Sequence, residues 1–169
     1  MQEKDFTTYC KDCSWRERAL ILVEGTEPNA VTINMTKPGT FAESLIKAAG
    51  DWCKVNELTV TGELNTEDLN TFKNLRMLTK LDLSGAKIAS IPDYFGCAPD
   101  YYDYYRRGFV FLTELYLPEL ESIGTNAFFA CCKLRSVSLP NIKVIGYSAF
   151  ENCTSLESVD FGENLNYIE

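Results

Sequence analysis

The chain has 169 residues, 46% of them hydrophobic, which supports one ordinary core and leaves little for a second large domain. Its formal charge of −8 works against nucleic acid, whose phosphates need clustered Lys and Arg; the one adjacent arginine pair, Arg106-Arg107, stands beside Asp100 and Asp103. Histidine is absent, so no His-based triad, imidazole acid/base group or histidine metal ligand exists, and no apolar run approaches the roughly 18 residues of a membrane span.

Residues 1–18 are polar and carry Cys10-Lys11-Asp12-Cys13, two of seven cysteines. Zinc would want a second such pair, and a redox pair would want a strand-to-helix junction. The expectation is therefore a disulfide within the pair, or from one member to Cys53. The run Ala19–Val23 is short for a signal peptide, although a mature secreted domain without its leader would read the same way. With the turn residues 25–29 and the alternating Val31–Met35, it predicts a hairpin. Pro38-Gly39-Thr40 punctuates the chain, and Thr40 with Glu43 forms a capping-box signature. Phe41, Leu45, Ile46, Ala49 and Trp52 then give the apolar stripe of a helix ending near Gly50. Residues 1–52 are thus expected to form an N-terminal cap of hairpin plus helix, and 53–169 a repeat domain.

The frame Leu-x-x-Leu-x-Leu recurs five times: Val55-Leu58-Val60, Leu78-Leu81-Leu83, Leu112-Leu115-Leu117, Leu134-Val137-Leu139 and Leu156-Val159-Phe161. Its last three positions alternate as a short strand does, predicting five parallel strands that bury their apolar rungs on one another. Behind the first of them, Leu69, Phe72 and Leu75 within 66–75 predict a helix. The outward strand positions include Glu57, Thr59, Lys80, Asp82, Glu114, Tyr116, Ser136, Ser138, Ser158 and Asp160, with Asn56, Thr79, Thr113, Arg135 and Glu157 before them. Tyr116 is the one large aromatic in this polar set.

From Leu83 to Leu117 the interval is 34 residues rather than the usual 22, and the surplus falls near 94–108. Five of the nine tyrosines lie there: Tyr94, Tyr101, Tyr102, Tyr104 and Tyr105, followed by Arg106 and Arg107. Repeat proteins place insertions as loops on one face, and Tyr and Arg dominate binding hot spots. These seven residues and Tyr116 form the candidate binding surface.

The last part of the chain repeats openly. LPELESIGTNAFFACCKLRSVS from Leu117 and LPNIKVIGYSAFENCTSLESVD from Leu139 align at an offset of 22 residues. Ile123-Gly124 matches Ile145-Gly146, Ala127-Phe128 matches Ala149-Phe150, and Cys131 matches Cys153. The period suits a leucine-rich repeat. Ile-Gly-x-x-Ala-Phe-x-x-Cys reads as a tight turn and a very short helical piece, with the Phe filling space behind the sheet. Its Gly serves either a left-handed torsion or a close backbone approach. A third copy starts at Phe161 and stops inside a turn at Glu169, so the expectation is either a longer natural protein or a final rung open to self-association.

This repeat resembles the BspA-like leucine-rich-repeat surface proteins of Bacteroides type. The upstream stretches VTINMTKPGTFAESL and LTVTGELNTEDLNTFKNLRMLTKLDLSGAKI look like the N-terminal region of such members, so the resemblance spans about residues 30–169. It departs at Ile91–Cys97, where Phe95 and Cys97 only loosely echo Ala-Phe-x-x-Cys. The expected fold is an α/β leucine-rich-repeat solenoid, with parallel strands on the concave face and short helices or turns behind. The resemblance implies a secreted or cell-surface, non-enzymatic module of a host-associated bacterium that adheres to an extracellular protein or glycan. It implies no cofactor and no catalytic residues. A structural or spacer module within a longer surface protein is the alternative.

Overall fold

The computed structural model describes residues 29–96 and 109–169. Strand β1 (Ala30–Met35) leads through helix α1 (Phe41–Ala49) and a 3₁₀ turn (Trp52–Lys54) to β2 (Glu57–Glu63). Helix α2 (Thr66–Thr71) and a second 3₁₀ turn (Phe72–Asn74) precede β3 (Lys80–Asp82), β4 (Ala86–Lys87) and β5 (Ser90–Ile91). After the insertion come β6 (Glu114–Tyr116), β7 (Ser122–Ile123), β8 (Ser136–Ser138), β9 (Val144–Ile145), β10 (Ser158–Asp160) and β11 (Tyr167–Ile168).

Every paired strand is parallel to its partner. One sheet runs β1-β2-β3-β6, with β4 extending the β2 edge, and β8 pairs with β10. The Leu-x-Leu frames supply these strands. Val31, Leu58, Leu81 and Leu115 share one inward row, and Val137 pairs with Val159. β6 and β8 lie side by side with no ladder between them, so the five predicted strands stack in succession but are hydrogen-bonded in two groups.

A second sheet, β5-β7-β9-β11, holds the turns together across that missing ladder. Its two-residue strands end in Ile91, Ile123, Ile145 and Ile168, in register. Sequence periodicity had read this stretch as a turn with a short helical piece. The turns that follow are not helical, because Asn126, Ala130, Ser148 and Asn152 take φ of 53°, 58°, 53° and 61°, and left-handed residues interrupt a right-handed helix. The repeated glycines, Gly124 and Gly146, serve the close approach instead. A Cβ on Gly146 would stand 2.7 Å from the Thr125 nitrogen and 2.8 Å from the Gly124 carbonyl carbon.

Val31–Met35 was expected in a hairpin with Ala19–Val23. The latter lies outside the described residues, as does the Cys10-x-x-Cys13 pair, and β1 itself pairs with β2 along its whole length. Among the described residues the first rung of the sheet is therefore β1. One buried cluster runs from Val31 to Ala149 and includes Phe41, Phe72, Phe95, Phe109 and Phe128. Successive turns stack their rings: Phe41 on Phe72 at 4.5 Å, Phe72 by Phe95 at 5.1 Å, Phe95 by Phe128 at 5.7 Å and Phe128 on Phe150 at 5.4 Å. Burying each such ring is worth about 1.5–3 kcal/mol.

Helix α1 ends at Gly50, φ 66°, as its sequence anticipates. Its stripe is narrower than predicted, since Phe41 and Leu45 are buried but Ile46 is exposed. The Thr40–Glu43 box does not form, and the Thr40 hydroxyl donates to the Lys37 carbonyl instead. Asp68 supplies the cap from the next turn. Its carboxylate accepts from Phe41 N at 2.9 Å and Gly39 N at 2.7 Å, while closing a capping box with Asn65 at the start of α2. Orphan donors of two helices converge on one buried side chain.

Candidate functional site

Alternation along the strands sets two outward rows on the main sheet. Glu57, Lys80 and Glu114 occupy one, and Thr59, Asp82 and Tyr116 the other. Farther on, Ser136 stands beside Ser158 and Ser138 beside Asp160. Asn56, expected among the outward residues, is buried; its carbonyl accepts from Thr79 N, Lys80 N and the Thr79 hydroxyl, which turns it into the joint between β2 and β3.

Tyr116 is 46% exposed at the end of β6. Its hydroxyl donates to Glu114 Oε2 at 3.2 Å, Lys80 Nζ stands 3.2 Å from the same oxygen, and Nζ lies 5.6 Å from the Tyr116 ring centre. The hydrogen bond from Lys80 to Glu114, with the carboxylate's charge, holds the ammonium above its ordinary pKa. Exposed ion pairs of this kind contribute little stability. Their effect here is positional: they limit the ring's freedom, so less entropy is lost when a ligand covers it.

Tyr94 lies elsewhere, just after β5 of the second sheet. Its φ of 56° matches those of Asn126 and Ser148, and its N–H donates to the Thr125 carbonyl at 2.9 Å. It therefore holds the left-handed corner of its turn, which points the expectation of a recognition residue partly toward a structural role. Tyr101, Tyr102, Tyr104, Tyr105, Arg106 and Arg107 lie outside the described residues. Of the candidate surface, then, two members are placed, Tyr116 on β6 of the main sheet and Tyr94 in the turn after β5 of the second.

The sequence reading passed over another group. Val144, Tyr147, Tyr167 and Ile168 are exposed near the last strands of the second sheet, Val144 beside Tyr167 in register. Their signal is the residue before the Ile that ends each strand, which is Ser in β5 and β7 but Val and Tyr in β9 and β11.

Residues 105–169 match the family model described as BspA type Leucine rich repeat region (6 copies). This stretch is a BspA-type leucine-rich repeat region. In the BspA-type turns, Ala127 and Ala149 are buried against the ring stack, Phe128 and Phe150 continue it, and Cys131 and Cys153 follow as free thiols. The match begins after the earlier strands, but β3 pairs in register with β6, so the turns upstream stack on the BspA-type ones. No curated protein matches the chain. Among the described residues no cluster of three or more His, Cys, Asp or Glu could hold a metal ion, and no helix is long and apolar enough to cross a membrane.

Proposed function

We propose that the chain is a non-enzymatic binding module, a leucine-rich-repeat solenoid with an N-terminal cap, secreted or displayed on a bacterial surface, that recognises an extracellular protein or glycan. The observation that carries this reading is Tyr116: a half-exposed ring on a polar strand face, braced by Glu114 and Lys80. Aromatic side chains on rigid strands make effective anchors because they bring large contact area with few torsions to freeze. The BspA-type region supports the reading, since repeats of this kind are common in surface proteins. The tyrosine-rich insertion, Tyr101 to Arg107, enters as the second part of the same surface.

The test is a binding screen of the purified chain against extracellular matrix proteins and arrayed glycans, with oligomeric state followed by sedimentation. A ligand is expected, and Tyr116→Ala is expected to weaken it at least tenfold while leaving the fold intact. A folded monomer that binds nothing would overturn the recognition role and leave a spacer module within a longer surface protein.

A further inference from the structure

We propose that Cys131 and Cys153 form a cross-turn dithiol that closes to a disulfide when the protein meets a low-molecular-weight disulfide. The two residues are separated by the same 22 positions that relate Ser122 to Val144 and Ser136 to Ser158 across neighbouring turns. Each follows a left-handed residue, Ala130 or Asn152, so the backbone delivers both side chains in the same way. The turns are clamped on either side of the pair, Ala130 N donating to the Glu151 carbonyl at 2.8 Å and the Thr154 hydroxyl to the Cys132 carbonyl at 3.4 Å. The Phe128 carbonyl accepts both the Cys131 N–H, at 3.3 Å, and the Cys153 Sγ, at 3.2 Å. That shared acceptor brings the Cys153 sulfur into the turn of Cys131. Stacked parallel neighbours lie about 4.8 Å apart, inside the range of about 4.4–6.8 Å that a disulfide tolerates between Cα atoms.

The two sulfurs differ in a way that orders the reaction. Cys131 is fully buried, and burial pushes its thiol well above the ordinary value. Cys153 is partly exposed, and the hydrogen bond from Cys131 holds its thiol below the ordinary value. Cys153 is thus the thiolate that attacks a small disulfide, forming a mixed disulfide and releasing one small thiolate. Cys131 then attacks the Cys153 sulfur of that mixed disulfide, gives up its proton to the departing thiolate, and completes the cross-link. One external disulfide is reduced to two thiols as two protein thiols are oxidised. Cys132 takes no part, because its Sγ faces the Ala130 and Asn152 carbonyls at 3.2 and 3.6 Å.

The experiment exposes the native chain to oxidised glutathione, alkylates remaining thiols after denaturation, and maps tryptic peptides by mass spectrometry. Lys133, Arg135 and Lys143 separate the two cysteines, so the link appears as a joined peptide pair lighter by two hydrogens and released by reductant. The expected result is that link, with a thermal midpoint several degrees above the reduced protein's. Cys132→Ser is expected to retain it and Cys153→Ser to lose it. The mapping of the unaltered chain decides the matter if a variant fails to fold. Free alkylated Cys131 and Cys153 after oxidation, a glutathione adduct that stays on Cys153, or a link through Cys132 would each overturn the proposal.

Discussion

Asp68 shows how one residue organises a part of the chain distant in sequence. Three backbone N–H groups, from Gly39, Phe41 and Asn65, converge on its two oxygens, and the side chain is 2% exposed. Asp68→Asn keeps one acceptor oxygen but turns an amide donor toward another donor. A loss of about 2–4 kcal/mol is expected, since hydrogen bonds to charged groups are worth about 1.5–3 kcal/mol each and buried N–H groups would be left unpaired. Urea denaturation monitored by circular dichroism reads this directly; a loss under about 1 kcal/mol would show that the convergence matters little. The Thr40–Glu43 signature was read from the sequence and does not form, whereas the box that does form, Asn65 with Asp68, was not read there. Which box forms is a question of what packs against the helix start, and only the neighbouring turn answers it. Left-handed torsions were similarly hidden at Ala130 and Ser148, which seldom take them, while Asn126 and Asn152 adopt them more readily; all four lie where the stacked turns hydrogen-bond to one another.

At the scale of elements, the ring stack is the feature that periodicity forecast most directly. The repeated Ala-Phe placed Phe128 and Phe150 behind the sheet, and they stack there with an interplanar angle of 11°. Phe41, Phe72 and Phe95 join them from a helix, a 3₁₀ turn and an irregular turn, of which only the last loosely echoes the repeat's Ala-Phe-x-x-Cys. Phe128→Ala removes the ring between Phe95 and Phe150 and is expected to cost about 3–5 kcal/mol, read as a lowered chemical-denaturation midpoint. Phe128→Leu should cost clearly less, because it leaves a smaller cavity. The second sheet was the element least visible in the sequence. Two-residue strands carry too little alternation to be recognised, and they exist because Gly124 and Gly146 let adjacent backbones approach.

For the whole molecule, stability should vary along the stack, since each turn is supported by its neighbours. Inward isoleucines illustrate this: Ile91, Ile123 and Ile145 are 2%, 1% and 4% exposed, whereas Ile168 is 55% exposed. Amides of β10 and β11 are expected to exchange with deuterium at least tenfold faster than those of β2 and β3, measured by hydrogen-exchange mass spectrometry. Uniform protection would instead show a single cooperative unit. The candidate surface was legible only where side chains alternate on a regular strand, as at Tyr116, and much less so for Tyr94, whose position follows from a turn. Repeat length, inward residues and the ring-bearing positions are all readable from the chain because they depend on local spacing and on apolar side chains leaving water. The shared slot of Cys131 and Cys153 was already readable from the repeat, whereas the pairing of β1 with the repeat sheet, the missing ladder between β6 and β8 and the helix cap at Asp68 belong to the folded state alone. They arise from backbone groups satisfying one another between turns, and hydrogen bonds between residues some 20–30 positions apart leave no local pattern to read.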